Sequence, residues 1–113
     1  MAKLLVIKKN KDYKKIFSQN RSATNSYFVL LARKTNKEIR FGFSISKKVG
    51  NAVTRNRIRR LLKEVCRQEI DSFMTGYDYV IIARKGSAVL GFDQVKENIL
   101  NLVYKLVMKI NKQ

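Results

Sequence analysis

The chain contains no histidine and no proline, and its only cysteine is Cys66. Without imidazoles or a second thiol, one copy of the chain cannot assemble a His/Cys zinc site, an imidazole general base or a disulfide framework. Ser44 and Ser46 accordingly have no histidine to activate them. Acids are also scarce, eight Asp and Glu in 113 residues. Glu64, Glu69, Asp71 and Asp78 fall on a helix and its connector rather than as a facing pair. No glycine-rich phosphate loop is present, because GNAVTR lacks the required lysine spacing. The apolar run from Leu4 to Ile7 is too short for a membrane span or a signal peptide, and Lys8 and Lys9 close it. Catalysis by the chain's own side chains is therefore not expected, and the chain reads as cytoplasmic. With no linker and no internal repeat, residues 1–113 read as one domain.

What is present is positive charge. Against those eight acids stand 25 Lys and Arg, for a formal net charge of +17. Hydrophobic residues make up 45% of the chain, enough for a modest core and too many for a disordered basic tail. A small folded protein so charged repels itself; nucleic acid is the commonest partner that relieves the repulsion, with an anionic membrane next. The charge is also concentrated. Between Ile39 and Lys63 lie eight cations, Arg40, Lys47, Lys48, Arg55, Arg57, Arg59, Arg60 and Lys63, and no acid.

Within that block a lysine pair leaves an expected strand, Gly50 and Asn51 make a turn, and helical periodicity begins at Ala52. At about 100° per residue, Ile58, Leu61, Leu62, Val65 and Cys66 share one apolar arc. Asn56, Arg59, Arg60, Lys63 and Arg67 gather opposite, with Arg55 and Arg57 near the two edges of that basic face. Arginine offers a planar fork of donors suited to phosphate, asparagine can donate and accept at a sugar or base edge, and a helix N-terminus adds its own unpaired N–H groups. A solvated helix face ordinarily mixes signs at four-residue spacing; here only Glu64, four after Arg60, does so. The block is read as an anion-binding surface, with Cys66 a buried small hydrophobe on the packed side.

The remaining elements follow in chain order. Asn10 is the expected N-cap of a short helix through Ser18, with Tyr13, Ile16 and Phe17 on one face. Asn20 to Asn25 reads as a polar connector, Tyr27 to Arg33 as a buried strand and Thr35 to Lys37 as a turn. From Arg40 to Ser46 the pattern alternates, Phe41, Phe43 and Ile45 against Gly42, Ser44 and Ser46. That small-residue face can admit an extended nucleic-acid strand or make room for a neighbouring helix. The basic helix runs from Ala52 to about Ile70, with Asn51 the preferred cap and Thr54 the alternative. A third strand covers Tyr79 to Ala83. After a loop from Gly86 to Gly91, a long amphipathic helix carries Val95, Ile99, Leu102, Val103, Leu106 and Ile110 as its apolar stripe. By spacing alone, Tyr13, Ile16 and Phe17 are the inner face of their helix.

The segment FGFSISKKVGNAVTRNRIRRLLKE resembles the signature of the bacterial ribonuclease P protein subunit: a strand ending in Ser-Lys-Lys, then Gly-Asn-Ala, then Arg-Asn-Arg on a helix. The likeness extends more weakly through KKNKDYKKIF and DYVIIARKG. It implies an α+β fold, a single-domain sandwich similar to the second domain of ribosomal protein S5, in the order α-β-β-α-β-α with a left-handed β-α-β crossover. The general handedness rule for such crossovers gives the opposite hand.

The resemblance also implies a function. The chain would be a subunit of the endonuclease that removes the 5′ leader of precursor tRNA. Its partners would be a catalytic RNA, which mainly holds the magnesium ions, and the precursor tRNA, with no protein partner required. Lys47, Lys48, Asn51, Arg55, Asn56, Arg57, Arg59, Arg60 and Lys63 would then contact the catalytic RNA. Tyr13, Phe17, Phe28, Arg84 and Lys85 would border a cleft for the single-stranded leader, whose bases aromatic faces can stack with little sequence preference. Leu31 stands where some relatives place an aromatic. The competing expectations are a structural RNA-binding protein of the ribosomal kind and a cationic protein of the membrane surface. At this charge the free chain is expected to be partly unfolded at low ionic strength and to fold when anions bind.

Overall fold

The computed structural model describes residues 3–112. Its elements are α1 (Asn10–Ser18), β1 (Arg21–Thr24), β2 (Phe28–Lys34), β3 (Arg40–Ile45), α2 (Ala52–Gln68), β4 (Tyr77–Ala83) and α3 (Phe92–Asn111), with short 3₁₀ turns at Ile70–Ser72 and Lys85–Val89. The single mixed α+β domain therefore has one strand more than expected. β1 lies in the stretch read as a polar connector. It is a short edge strand with one buried residue, Ala23, and it pairs antiparallel with β2, Ala23 opposite Leu30. Short polar edge strands discourage pairing with other chains and carry little hydrophobic signal.

The sheet order is β1-β2-β4-β3. β2 and β4 run antiparallel, whereas β3 and β4 run parallel, joined by the crossover through α2. Beyond β3, the N-terminal segment adds an isolated bridge from Val6 to Phe41. The Ile7 N–H donates to the Phe41 carbonyl at 2.8 Å, and the Phe41 N–H to the Leu5 carbonyl at 2.9 Å.

Strand alternation divides the side chains between two faces. Phe28, Leu30, Ala32, Phe41, Phe43, Ile45, Tyr79, Ile81 and Ala83 point toward α2 and α3 and form the main core with Ile58, Leu62, Val65, Cys66, Val95, Ile99, Leu102 and Leu106. Phe41, Phe73 and Tyr79 meet there with ring centroids 4.8 to 5.5 Å apart. The helical periods of α2 and α3 select the residues expected, Leu61 and Ile110 lying half-buried at the margin. Burial raises the Cys66 thiol pKa well above its ordinary value, as suits an inert core residue.

On the other face, Ile16 of α1 packs with Ile7, Leu31 and Val80, and Tyr13, Val29 and Ile82 stand half-buried around them. Two local expectations change. The cap of α1 is Lys9, without a side-chain hydrogen bond, and Asn10 is already helical. α2 ends at Gln68, two residues early, and the chain turns through the 3₁₀ segment before β4.

Candidate nucleic-acid interface

The loop between β3 and α2 is built by three residues. Val49 is buried and anchors it, its N–H bonded to the Ser46 carbonyl at 3.1 Å. A Cβ on Gly50 would lie 2.8 Å from the Thr54 methyl, so glycine lets the loop close on the first turn of α2 without displacing Thr54. Asn51 Oδ1 accepts the Thr54 N–H at 2.9 Å, which decides the cap in favour of Asn51. With the loop tied down, Lys47 and Lys48 stand exposed at the end of β3.

The cations of the basic block then separate by partner. Arg40 leaves the block altogether. Its guanidinium grips the buried Asp78 carboxylate with Nε 3.0 Å from Oδ1 and Nη2 2.7 Å from Oδ2, and reaches Asp12 at 3.5 Å. The hydrogen bonds to Asp78 raise the Arg40 pKa, and the pairing ties α1 to the sheet. Arg57 is also engaged: it donates to the Ala88 carbonyl at 3.3 Å and to that of Leu90 at 2.6 Å, holding the turn after β4 against α2. Glu64 accepts from Arg67 and Gln68 rather than relieving Arg60, and the Arg67 hydrogen bond lowers its pKa.

What remains on α2 is a face with no countercharge. Arg59 rests on Asn56 Oδ1 at 3.0 Å. The side chains of Arg60 and Lys63 make no hydrogen bond or ion pair among the described residues, and the buried Nε of Arg55 has no partner. Val53, which is 76% exposed, forms a shallow depression with Asn56, Arg59, Arg60 and Lys63. Val53 was not singled out from sequence; an apolar residue on the polar arc was the available signal.

The second surface lies on the α1 side of the sheet. Tyr13 sits directly over Gly42, where a Cβ would come within 2.7 Å of the ring. Its hydroxyl donates to the Ile7 carbonyl at 3.2 Å and accepts the Phe43 N–H at 3.3 Å, so Tyr13 caps part of the outer edge of β3. One turn on, Phe17 is 46% exposed, its ring 6.4 Å from that of Tyr13 and inclined by 26°. α1 covers the row Leu31, Val80 and Gly42. The next row, Val29 opposite Ile82 and Ile82 beside Ser44, is only half-buried.

Phe28 does not belong to this surface. It is fully buried, opposite Ala83, on the face that packs against α2 and α3, so it cannot stack a base. The residues that β2 and β4 leave half-buried on the α1 side of the sheet are Val29 and Ile82 instead. Arg84 follows β4, bonded to the Asn25 carbonyl at 3.1 Å and to Thr24 Oγ1 at 3.4 Å, and Lys85 is exposed beside it. Because β3 and β4 are parallel neighbours, their carboxyl ends deliver Lys47, Lys48, Arg84 and Lys85 to one end of the sheet.

No group of three or more Cys, Asp or Glu side chains able to cage a metal occurs among the described residues. Asp12 and Asp78 both face Arg40. No helix among the described residues is long and apolar enough to cross a membrane.

The family model for ribonuclease P matches residues 1–107. The chain is 44% identical over 115 residues to the ribonuclease P protein component of Desulforamulus reducens, covering 100% of this chain and 97% of that protein. The solved RNase P protein of Staphylococcus aureus is similar with a TM-score of 0.77 and 32% identity, over 97% of each chain. That of Thermotoga maritima gives a TM-score of 0.81 and 32% identity, over 88% of this chain and 94% of the other.

Proposed function

The chain belongs to the ribonuclease P protein family, and from that premise we propose that it binds the catalytic RNA of ribonuclease P and the 5′ leader of precursor tRNA, promoting endonucleolytic removal of the leader in the cytoplasm. The observation that carries this reading is the convergence at the carboxyl ends of β3 and β4. Two pairs of cations meet there, between an α2 face without countercharge and a sheet row that α1 leaves uncovered.

In this reading Lys47, Lys48, Arg55, Asn56, Arg59, Arg60 and Lys63 neutralise phosphates of the catalytic RNA. Asn51 and Arg57 act chiefly by holding the loop and the turn that present them. Phe17, with the fixed edge of Tyr13, stacks leader bases over Val29, Ile82 and Ser44, and Arg84 and Lys85 meet the leader backbone as it leaves the sheet. Stacking is indifferent to base identity, which suits an enzyme that must accept many precursors. The RNA partner supplies the magnesium-dependent chemistry; the protein binds, orients and neutralises.

The test is cleavage of a precursor tRNA by a bacterial ribonuclease P RNA at near-physiological magnesium, with and without the protein. Leaders of one nucleotide and of about eight would be compared, the longer matching the usual reach of one stacking module. Restored cleavage with tighter binding of the longer leader supports the reading. Tight RNA binding with neither effect would replace it with a structural RNA-binding role.

A further inference from the structure

The C-terminal half of α3 carries a third surface that neither of the proposed contacts uses. Tyr104 is 67% exposed and Met108, one turn on, is 42% exposed. Beside this apolar ridge run Lys105, Lys109 and Lys112, and all five line one depression along the outer edge of β1. The sequence from residue 98 to 112 contains no acid.

Two of the lysines are already held in place. Lys109 Nζ donates to the Ser22 carbonyl at 2.7 Å, and Lys105 Nζ reaches the Thr24 carbonyl at 3.4 Å. Both carbonyls belong to the edge strand. Each ammonium has three donors, so each keeps two for a ligand while its long side chain is already ordered. That lowers the entropic penalty of binding.

We propose that Tyr104, Met108, Lys105, Lys109 and Lys112 form a binding site for an unpaired RNA segment, a base stacking on Tyr104 and its flanking phosphates lying along the lysine ridge. An exposed aromatic face bordered by cations without countercharge is the composition that single strands recognise. A second copy of this chain fits worse, because it would bring another +17 to a lysine-lined groove. The ridge belongs to α3, which packs on the Phe28 and Leu30 side of the sheet, whereas Tyr13 and Phe17 stand on α1, over the Leu31 and Val80 side.

The test uses the full chain with a short oligouridylate, without the catalytic RNA or tRNA, and so does not depend on the ribonuclease P reading. Binding is titrated in a Phe17→Ala background, which removes the proposed leader platform. Tyr104→Ala should weaken the remaining affinity by about 5- to 100-fold, while Tyr104→Phe should retain it. Circular dichroism should show both variants folded, since residue 104 is exposed. Lys105→Ala with Lys109→Ala should reduce the slope of log affinity against log salt by about 1.4. Equal affinity for the two Tyr104 variants overturns the proposal. So does a concentration-dependent dimer that Tyr104→Ala abolishes, because the ridge would then be an interface between copies.

Discussion

On one face of the sheet, Phe28, Leu30, Phe41, Tyr79 and Ile81 lie beneath the 17 residues of α2 and the 20 of α3. On the other, Leu31, Val80 and Gly42 lie beneath the nine residues of α1. The first covering is complete. The second ends after one row, leaving Val29, Ile82 and Ser44 half-buried beside an exposed Phe17. Complete coverage yields stability, and incomplete coverage leaves an apolar floor that a flexible ligand can finish burying. Apolar residues one position apart on β2, Phe28 and Val29, therefore differ in burial, the first fully enclosed and the second half-buried.

The largest expected effect tests that division directly. Phe28→Ala removes a fully buried ring from the closed face and should destabilise the fold by about 3 to 5 kcal/mol, measured by denaturant unfolding at moderate salt. Phe17→Ala should change stability by no more than about 0.5 kcal/mol. It should nevertheless weaken leader binding by about 1 to 3 kcal/mol. The reverse pattern, a stable Phe28→Ala that loses leader affinity, would return Phe28 to the cleft and undo the assignment of the two faces.

A smaller effect tests how α1 is seated. Gly42→Ala places a methyl 2.7 Å from the Tyr13 ring, so the ring or the helix must shift, at about 1 to 3 kcal/mol. The displaced hydroxyl would also give up its bonds to Ile7 and Phe43. In a Tyr13→Ala background the same substitution should be much milder, because the obstructed ring is gone. A double-mutant cycle reads that coupling; independent, additive effects would mean that Tyr13 does not hold α1 on β3.

These contrasts also show what could be read without coordinates. The packed sides of α2 and α3 were legible because their apolar residues repeat at the helical period, and the Asn51 cap because its chemistry is local. β1 was not, since a strand with only Ala23 buried is defined by its pairing with β2 rather than by its own composition. Phe28, which the resemblance placed at the cleft, could not be checked from pattern for a related reason. Residues 28–32 of β2 are apolar without alternation, so either face could be assigned to each until the pairing with β4 set it. At Gly42 the small residue makes room for a neighbouring helix, with Tyr13 of α1 seated over it, while Ser44 lies half-buried in the row that α1 does not cover. Charge counting failed where the partner lies far along the chain, Asp78 for Arg40 and the Leu90 carbonyl for Arg57.

That last distinction carries the smallest and sharpest test, since Arg57 and Arg60 are three residues apart on one helix. Arg57 holds two carbonyls of the turn after β4, whereas Arg60 meets no described partner. Arg57→Ala should lower stability by about 1 to 3 kcal/mol, because charged hydrogen bonds are lost at a half-buried site. It should also weaken RNA binding indirectly, by loosening the end of the sheet where Arg84 and Lys85 stand. Arg60→Ala should leave unfolding unchanged and lower the slope of log affinity against log salt by about 0.9, as one lost contact to duplex phosphate requires. Fluorescence unfolding and a salt series on the catalytic RNA measure both. If the two variants behave alike, α2 works as a diffuse cloud of charge, and the sorting of its cations into builders and binders fails.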